Sequence, residues 1–134
     1  MSDPIVIVGM ARTPIGSMQG QFDGVPSTEL GAAAIKAAVE RAGVAPEKIG
    51  SVDMGCCLTA GLRQAPARQA SLGAGLPISV GATTLNKVCG SGMKAAMNAW
   101  DSLSLGHVDV AVAGGMESMT NAPYLMLQGR GGYR

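Results

Sequence analysis

The sequence is poor in aromatics and in charge: aromatic residues make up 3% and charged residues 14% of its 134 positions. With a net charge of +1 and no run of either sign, it lacks the dense Lys/Arg surface of a nucleic-acid footprint. No apolar run approaches the roughly eighteen residues that a membrane span needs. The opening MSDPIVIVGMARTP has no basic region and only a short apolar stretch, so it does not read as a signal peptide. Three cysteines, an odd number, speak against a disulfide framework and for a reduced, cytoplasmic protein.

What is present is small and apolar. Hydrophobic residues reach 47%, enough for one modest domain with its own core. The 20 glycines are about twice the usual share and imply tight turns and close backbone approaches. With so few aromatics, Ala, Val, Leu, Ile and the nine methionines must fill the interior.

Apolar runs and helical stripes alternate along the chain. Ile5 to Val8, closed by Gly9, has the pattern of a buried strand. Ser27 is placed to cap a helix whose stripe is Ala34, Ile35, Ala38, Val39 and Ala42, with Gly43 as its stop. Val52 to Leu58 reads as a second strand. Pro66 suits the first turn of a short helix running to about Gly75. Thr83 to Val88 is a third, more polar strand. Met93, Ala96, Met97, Trp100 and Leu103 mark the apolar stripe of a third helix ending at Gly106, and Val108 to Ala113 is a fourth strand. The order βαβαβαβ implies an α/β fold, a mostly parallel sheet with helices on both faces. After Gly115 the pattern dissolves.

The densest chemical signal is Asn86-Lys87-Val88-Cys89-Gly90-Ser91-Gly92, where a strand turns directly into a helix. Such a turn lifts a side chain to the carboxyl edge of the sheet, where open α/β sheets bind ligands. The helix N-terminus favours a thiolate by directing N–H dipoles at it, and the same N–H groups can stabilise an oxyanion on an attacked thioester carbonyl. Cys89 is therefore a candidate nucleophile, with a buried structural cysteine as the alternative from spacing alone. His107, the sole histidine, lies at the far end of the same helix, roughly 27 Å away at 1.5 Å per residue. That makes it a helix-end or surface residue rather than the base. Cys56 and Cys57, adjacent on a strand, point to opposite faces and read as small core residues; without a second ligand pair no metal is expected.

NKVCGSGMKA at 86–95 resembles the active-cysteine motif of the thiolase family. IVIVGMARTPIGSMQG at 5–20 is similar to that family's opening strand and turn, and VAVAGGMESMTNAPYLM at 110–126 to its glycine-rich strand end and following loop. Val-Cys-Gly-Ser-Gly is closer to the acetoacetyl-CoA, biosynthetic branch than to the Gln-Cys-Ser-Ser-Gly type of degradative long-chain thiolases. The resemblance implies an incomplete N-terminal half of a thiolase-like fold, with a core domain over 1–120 and the start of a loop domain over 121–134. It implies acetyl-CoA and acetoacetyl-CoA as substrates, Cys89 as the acetylated nucleophile, and Gly90, Met116 and Met119 as substrate-binding residues. It also implies no metal or bound organic cofactor, a strand Thr83–Val88 near a dimer two-fold, and a homotetramer for the full-length enzyme. Resembling enzymes run roughly three times this length. Their later half supplies a Gly-His-Pro histidine, a Cys-x-Gly cysteine and an Asn-Glu segment, and none of these motifs occurs here. The chain alone is accordingly expected to be inactive and poorly stable.

Three other readings compete. Gly90-Ser91-Gly92-Met93-Lys94-Ala95 fits the dinucleotide fingerprint G-x-G-x-x-A, but the acidic residue about twenty positions on, Asp109, opens a strand instead of ending one. A non-catalytic product, or a subunit completed by a second chain, would explain the missing motifs. A ketoacyl-synthase shares the cysteine logic but fits Gly-Gly-Met-Glu-Ser-Met less well.

Overall fold

The computed structural model describes residues 4–133. Helices and strands alternate as α1 (Ser27–Ala42), β1 (Ser51–Gly55), α2 (Pro66–Gly73), β2 (Gly81–Leu85), α3 (Ser91–Ser104) and β3 (Ala111–Gly115). The three strands form one parallel sheet in the order β2-β1-β3, with Ser51 opposite both Gly81 and Ala111.

The central strand owes its burial to helices on its two faces. On one, Val52 and Met54, continued by Cys56, meet Ile35 and Val39 of α1 and Ala67 and Ala70 of α2 in a single core. Each large aliphatic side chain so buried contributes about 1.5–3 kcal/mol. On the other face a Cβ added at Gly55 would stand 2.5 Å from the Ser91 Cβ, so only glycine admits the first turn of α3 there. The α/β class with helices on both faces is as the residue pattern predicts.

Both α2 and α3 end in a left-handed glycine. Gly75 (φ +86) and Gly106 (φ +70) stand where the chain leaves the helix. The next residue's N–H returns to the last turn in each case, Leu76 to the Ser71 carbonyl and His107 to the Ser102 carbonyl. This pattern satisfies carbonyls that a helix end would otherwise orphan. At the other end of α1, Pro26 is the N-cap and makes no side-chain cap bond. Ser27 is thus the first helical residue and not the expected cap; it is buried with its Oγ 4.0 Å from the Cys56 Sγ.

Other expectations are corrected by packing. Ile5 to Val8 forms no strand, and Val6, Ile7 and Val8 are exposed. The segment is held beside α1 instead: a Cβ on Gly9 would meet the Ala38 carbonyl at 2.5 Å, and the Arg41 guanidinium donates to the Met10 carbonyl. An apolar run records a demand for burial, but a strand also needs an open ladder within reach. The expected stripe of α3 is likewise turned outward, with Met93, Met97 and Trp100 exposed and Ala95 and Ala99 buried. The helix approaches the sheet so closely that only small residues fit between them. Met1–Asp3 and Arg134, at the two ends of the expected domains, lie outside the described residues.

Past β3, residues 118–121 are pinned to the loop before α1. The Asn121 amide donates to the carbonyls of Phe22 and Val25, and its oxygen accepts the Gly24 N–H. Residues 122–133 are exposed.

Candidate active site

The strand-to-helix elbow is built by hydrogen bonds that converge on one carbonyl. β2 ends at Leu85, earlier than Val88 as expected, because the chain turns at Val88, which takes φ +49. A β-branched residue in that region is strained by about 1–3 kcal/mol and persists only where its surroundings over-determine it. They do so here. The Val88 carbonyl accepts the Ser91 N–H at 3.1 Å, the Ser91 hydroxyl at 2.6 Å and the Cys57 thiol at 3.1 Å. The Ser91 Oγ in turn accepts the Lys87 N–H at 2.8 Å, and the Val88 N–H goes to the Asn86 side chain at 2.8 Å.

Cys89 follows this turn directly, exposed, one residue before the N-cap Gly90 of α3. Gly90 has an ordinary negative φ of −88; the bend lies in Val88. A Cβ at Gly90 would stand 3.4 Å from the Lys87 carbonyl, an ordinary contact distance.

A carboxylate holds the neighbouring strand end. Glu117, two residues past β3, accepts the Cys57 N–H at 3.0 Å and the Leu58 N–H at 3.0 Å. It also meets the Cys56 Sγ at 3.8 Å. β1 therefore stops at Gly55, short of the expected Leu58, because the amides beyond it go to a side chain. Burial, and then the Glu117 charge, push the Cys56 thiol up from its ordinary pKa. The two adjacent cysteines do point apart. Cys56 sits in the core, whereas Cys57 is half-buried beside the elbow, which corrects its reading as a core residue.

The other expected residues are more dispersed. Met116 is buried in the core; a Cβ on Gly31 of α1 would meet its sulfur at 2.5 Å. Met119 is exposed, on a 3₁₀ turn over Met119–Asn121. His107 is exposed just past the C-terminal end of α3. Among the described residues, two surface clefts are lined by groups other than Cys89. One, of about 460 Å³, lies between α1 and α2 beside Lys36 and Gln69. The other, of about 150 Å³, lies among Arg12, Leu30, Met116 and Glu117.

Glu117 and Ser91 were not singled out by sequence reasoning, and Cys57 was read only as a small core residue. A lone carboxylate after Gly114-Gly115 was the available signal, but its use depends on β3 lying beside β1, which no local pattern states.

Fold and site define a class: a parallel α/β domain presenting a thiol where a strand turns into a helix. The chain belongs to the thiolase family, whose model described as "Thiolase, N-terminal domain" matches residues 5–134. It is 59% identical over 125 residues to acetyl-CoA acetyltransferase B, mitochondrial, of Xenopus laevis. Identity is 58% to the acetyl-CoA acetyltransferase, mitochondrial, of Mus musculus and 57% to that of Homo sapiens, each again over 125 residues. These matches cover 93% of this chain but only 29–30% of each relative, so the chain spans under a third of their length. The names of these relatives overturn the cytoplasmic expectation, since all three are mitochondrial. Unpaired cysteines argue only for a reducing environment and do not say which reduced compartment holds the protein.

Proposed function

We propose that this chain is the N-terminal part of an acyltransferase that condenses two acetyl-CoA into acetoacetyl-CoA and CoA, or catalyses the reverse thiolysis, through an acetyl-Cys89 intermediate. The observation that carries the reading is the exposed Cys89 thiol at the start of α3, within a chain whose relatives are named acetyl-CoA acetyltransferases. The Cys89 thiolate attacks the thioester carbonyl, CoA thiolate leaves and takes up a proton, and the acetyl group stays on sulfur. A second acetyl-CoA, having lost a methyl proton to a base, displaces Cys89 and becomes acetoacetyl-CoA. The N-terminal dipole of α3 favours the oxyanion charge that develops beside Cys89.

Gly90 and the exposed Met119 are the substrate-binding residues of this reading, with Met116 supporting the region from the core. The histidine and second cysteine of the family have no counterpart among the 134 residues, so the base comes from elsewhere in the working enzyme. Residues 1–120 form the core portion and 121–134 the start of the loop domain; the exposure of 122–133 supports that division. A subunit completed by a second chain is the other reading, favoured by the exposed Met93, Met97 and Trp100.

Peptide mapping after incubation with acetyl-CoA tests the main reading. An acetyl group confined to the Cys89 peptide, and lost in Cys89→Ala, is expected. Equal labelling of Cys57, or none at Cys89, would overturn it.

A further inference from the structure

Cys89 stands on a peptide bond that three donors hold from behind. In a trans peptide the C=O and the following N–H point in opposite directions. Fixing the Val88 carbonyl therefore fixes the Cys89 N–H and the direction in which its Cα–Cβ bond leaves the turn. Two of the three donors belong to Ser91, inside the elbow. The third is the Cys57 thiol, which arrives from β1 and also stands 3.5 Å from the Ser91 Oγ.

The Cys57 thiol is in place because its own backbone is. Beyond Gly55 the chain has left the ladder, and the N–H groups of Cys57 and Leu58 would otherwise find no partner there. Both go to the two oxygens of one side chain, Glu117, at 3.0 Å each. Glu117 is carried by the end of β3, whose last residues run beside β1 in register, Gly115 against Gly55, and the Met116 N–H donates to the Gly55 carbonyl at 2.9 Å. The linkage thus runs from β3 through the Glu117 carboxylate to Cys57, and from its thiol to the strained Val88 immediately before Cys89.

We propose that Glu117 and Cys57 are positioning residues for Cys89: the carboxylate locks the end of β1, and the Cys57 thiol locks the Val88–Cys89 peptide plane. The proposal rests on the reading of Cys89 as the nucleophile. Hydrogen bonds with a charged acceptor are the stronger kind, which suits Glu117 to hold two amides at once. Glu117→Gln keeps the size but turns one acceptor oxygen into a donor, so one amide loses its partner. Cys57→Ala deletes only the sulfur, and Cys57→Ser restores a donor toward the Val88 carbonyl.

The test is the rate of iodoacetamide alkylation of Cys89 in this chain, followed by mass spectrometry of the Cys89 peptide, with far-UV circular dichroism as the check on folding. Cys57→Ala and Glu117→Gln are each expected to slow alkylation about fivefold at unchanged helix content, because a thiol turned away from the head of α3 loses the helix-terminus field that favours its thiolate. Cys57→Ser is expected to recover to within about twofold of the parent chain. A merely structural thiol would not distinguish serine from alanine in this way. Parent-like rates in both Cys57→Ala and Glu117→Gln would overturn the positioning roles while leaving the nucleophile reading intact. A parent Cys89 that reacts no faster than N-acetylcysteine would overturn the nucleophile reading and the positioning roles with it. Should Glu117→Gln unfold, the Cys57 pair decides alone.

Discussion

Helices α1 and α3 carry similar apolar stripes in sequence and end in opposite situations. Ile35 and Val39 of α1 are 2% and 7% exposed, whereas Met93, Met97 and Trp100 of α3 are 69%, 57% and 55% exposed. The difference lies in what each helix rests against. α1 meets large side chains of the sheet and a second helix, so its own large residues interlock with them. α3 sits over Gly55 and beside Gly114 and Gly115, and only its alanines fit in the gap. Periodicity reports that a helix has an apolar face; the depth of the neighbouring surface decides whether that face or a line of small residues is the one buried. The close approach of α3 is also what sets Cys89 at the carboxyl edge of the sheet.

Substitutions on the two helices sharpen this contrast. The largest effect is expected at Ile35→Ala, which should cost about 2–5 kcal/mol in urea unfolding, as buried large-to-small changes do. Gly55→Ala should cost about 1–3 kcal/mol by overpacking against Ser91, and should raise α3 enough to alter Cys89 labelling; an unchanged melting profile would break the account of the gap. A smaller change is expected at Asp53, two residues before Gly55 and so on the α3 face, where burial pushes its carboxyl above the ordinary range. Because the folded-state pKa is raised, the protonated form is favoured by folding. Stability should be highest below the unfolded value and fall as pH rises through the raised one. Asp53→Asn should flatten that fall in a pH series of unfolding midpoints. The smallest effect is expected at Trp100→Ser, within about 0.5 kcal/mol. A loss as large as that of Ile35→Ala would show that the outer face of α3 is covered in solution.

Local signals were sufficient for the helices and for the elbow. Gly43, Gly75 and Gly106 marked the ends of α1, α2 and α3 because left-handed residues there have a chemical signature. The Cys–Gly–helix junction was legible because only the short turn over 86–90 separates β2 from α3. What stayed hidden depends on partners distant in sequence. Ile5 to Val8 reads as a strand but joins no ladder, and β1 ends early because Glu117 takes its amides from 60 and 59 residues away. The strained residue of the elbow, Val88, is β-branched and would not be picked for a positive φ from its type.

The most direct test of Cys89 is the release of CoA from acetyl-CoA by the purified chain, with Cys89→Ala alongside. A nucleophile without its acid/base partners should give a burst of about one CoA per chain and then stop, and the variant should give none. Absence of the burst would contradict Cys89 as the acyl acceptor, and sustained, Cys89-dependent turnover would contradict the placement of the remaining groups outside these 134 residues.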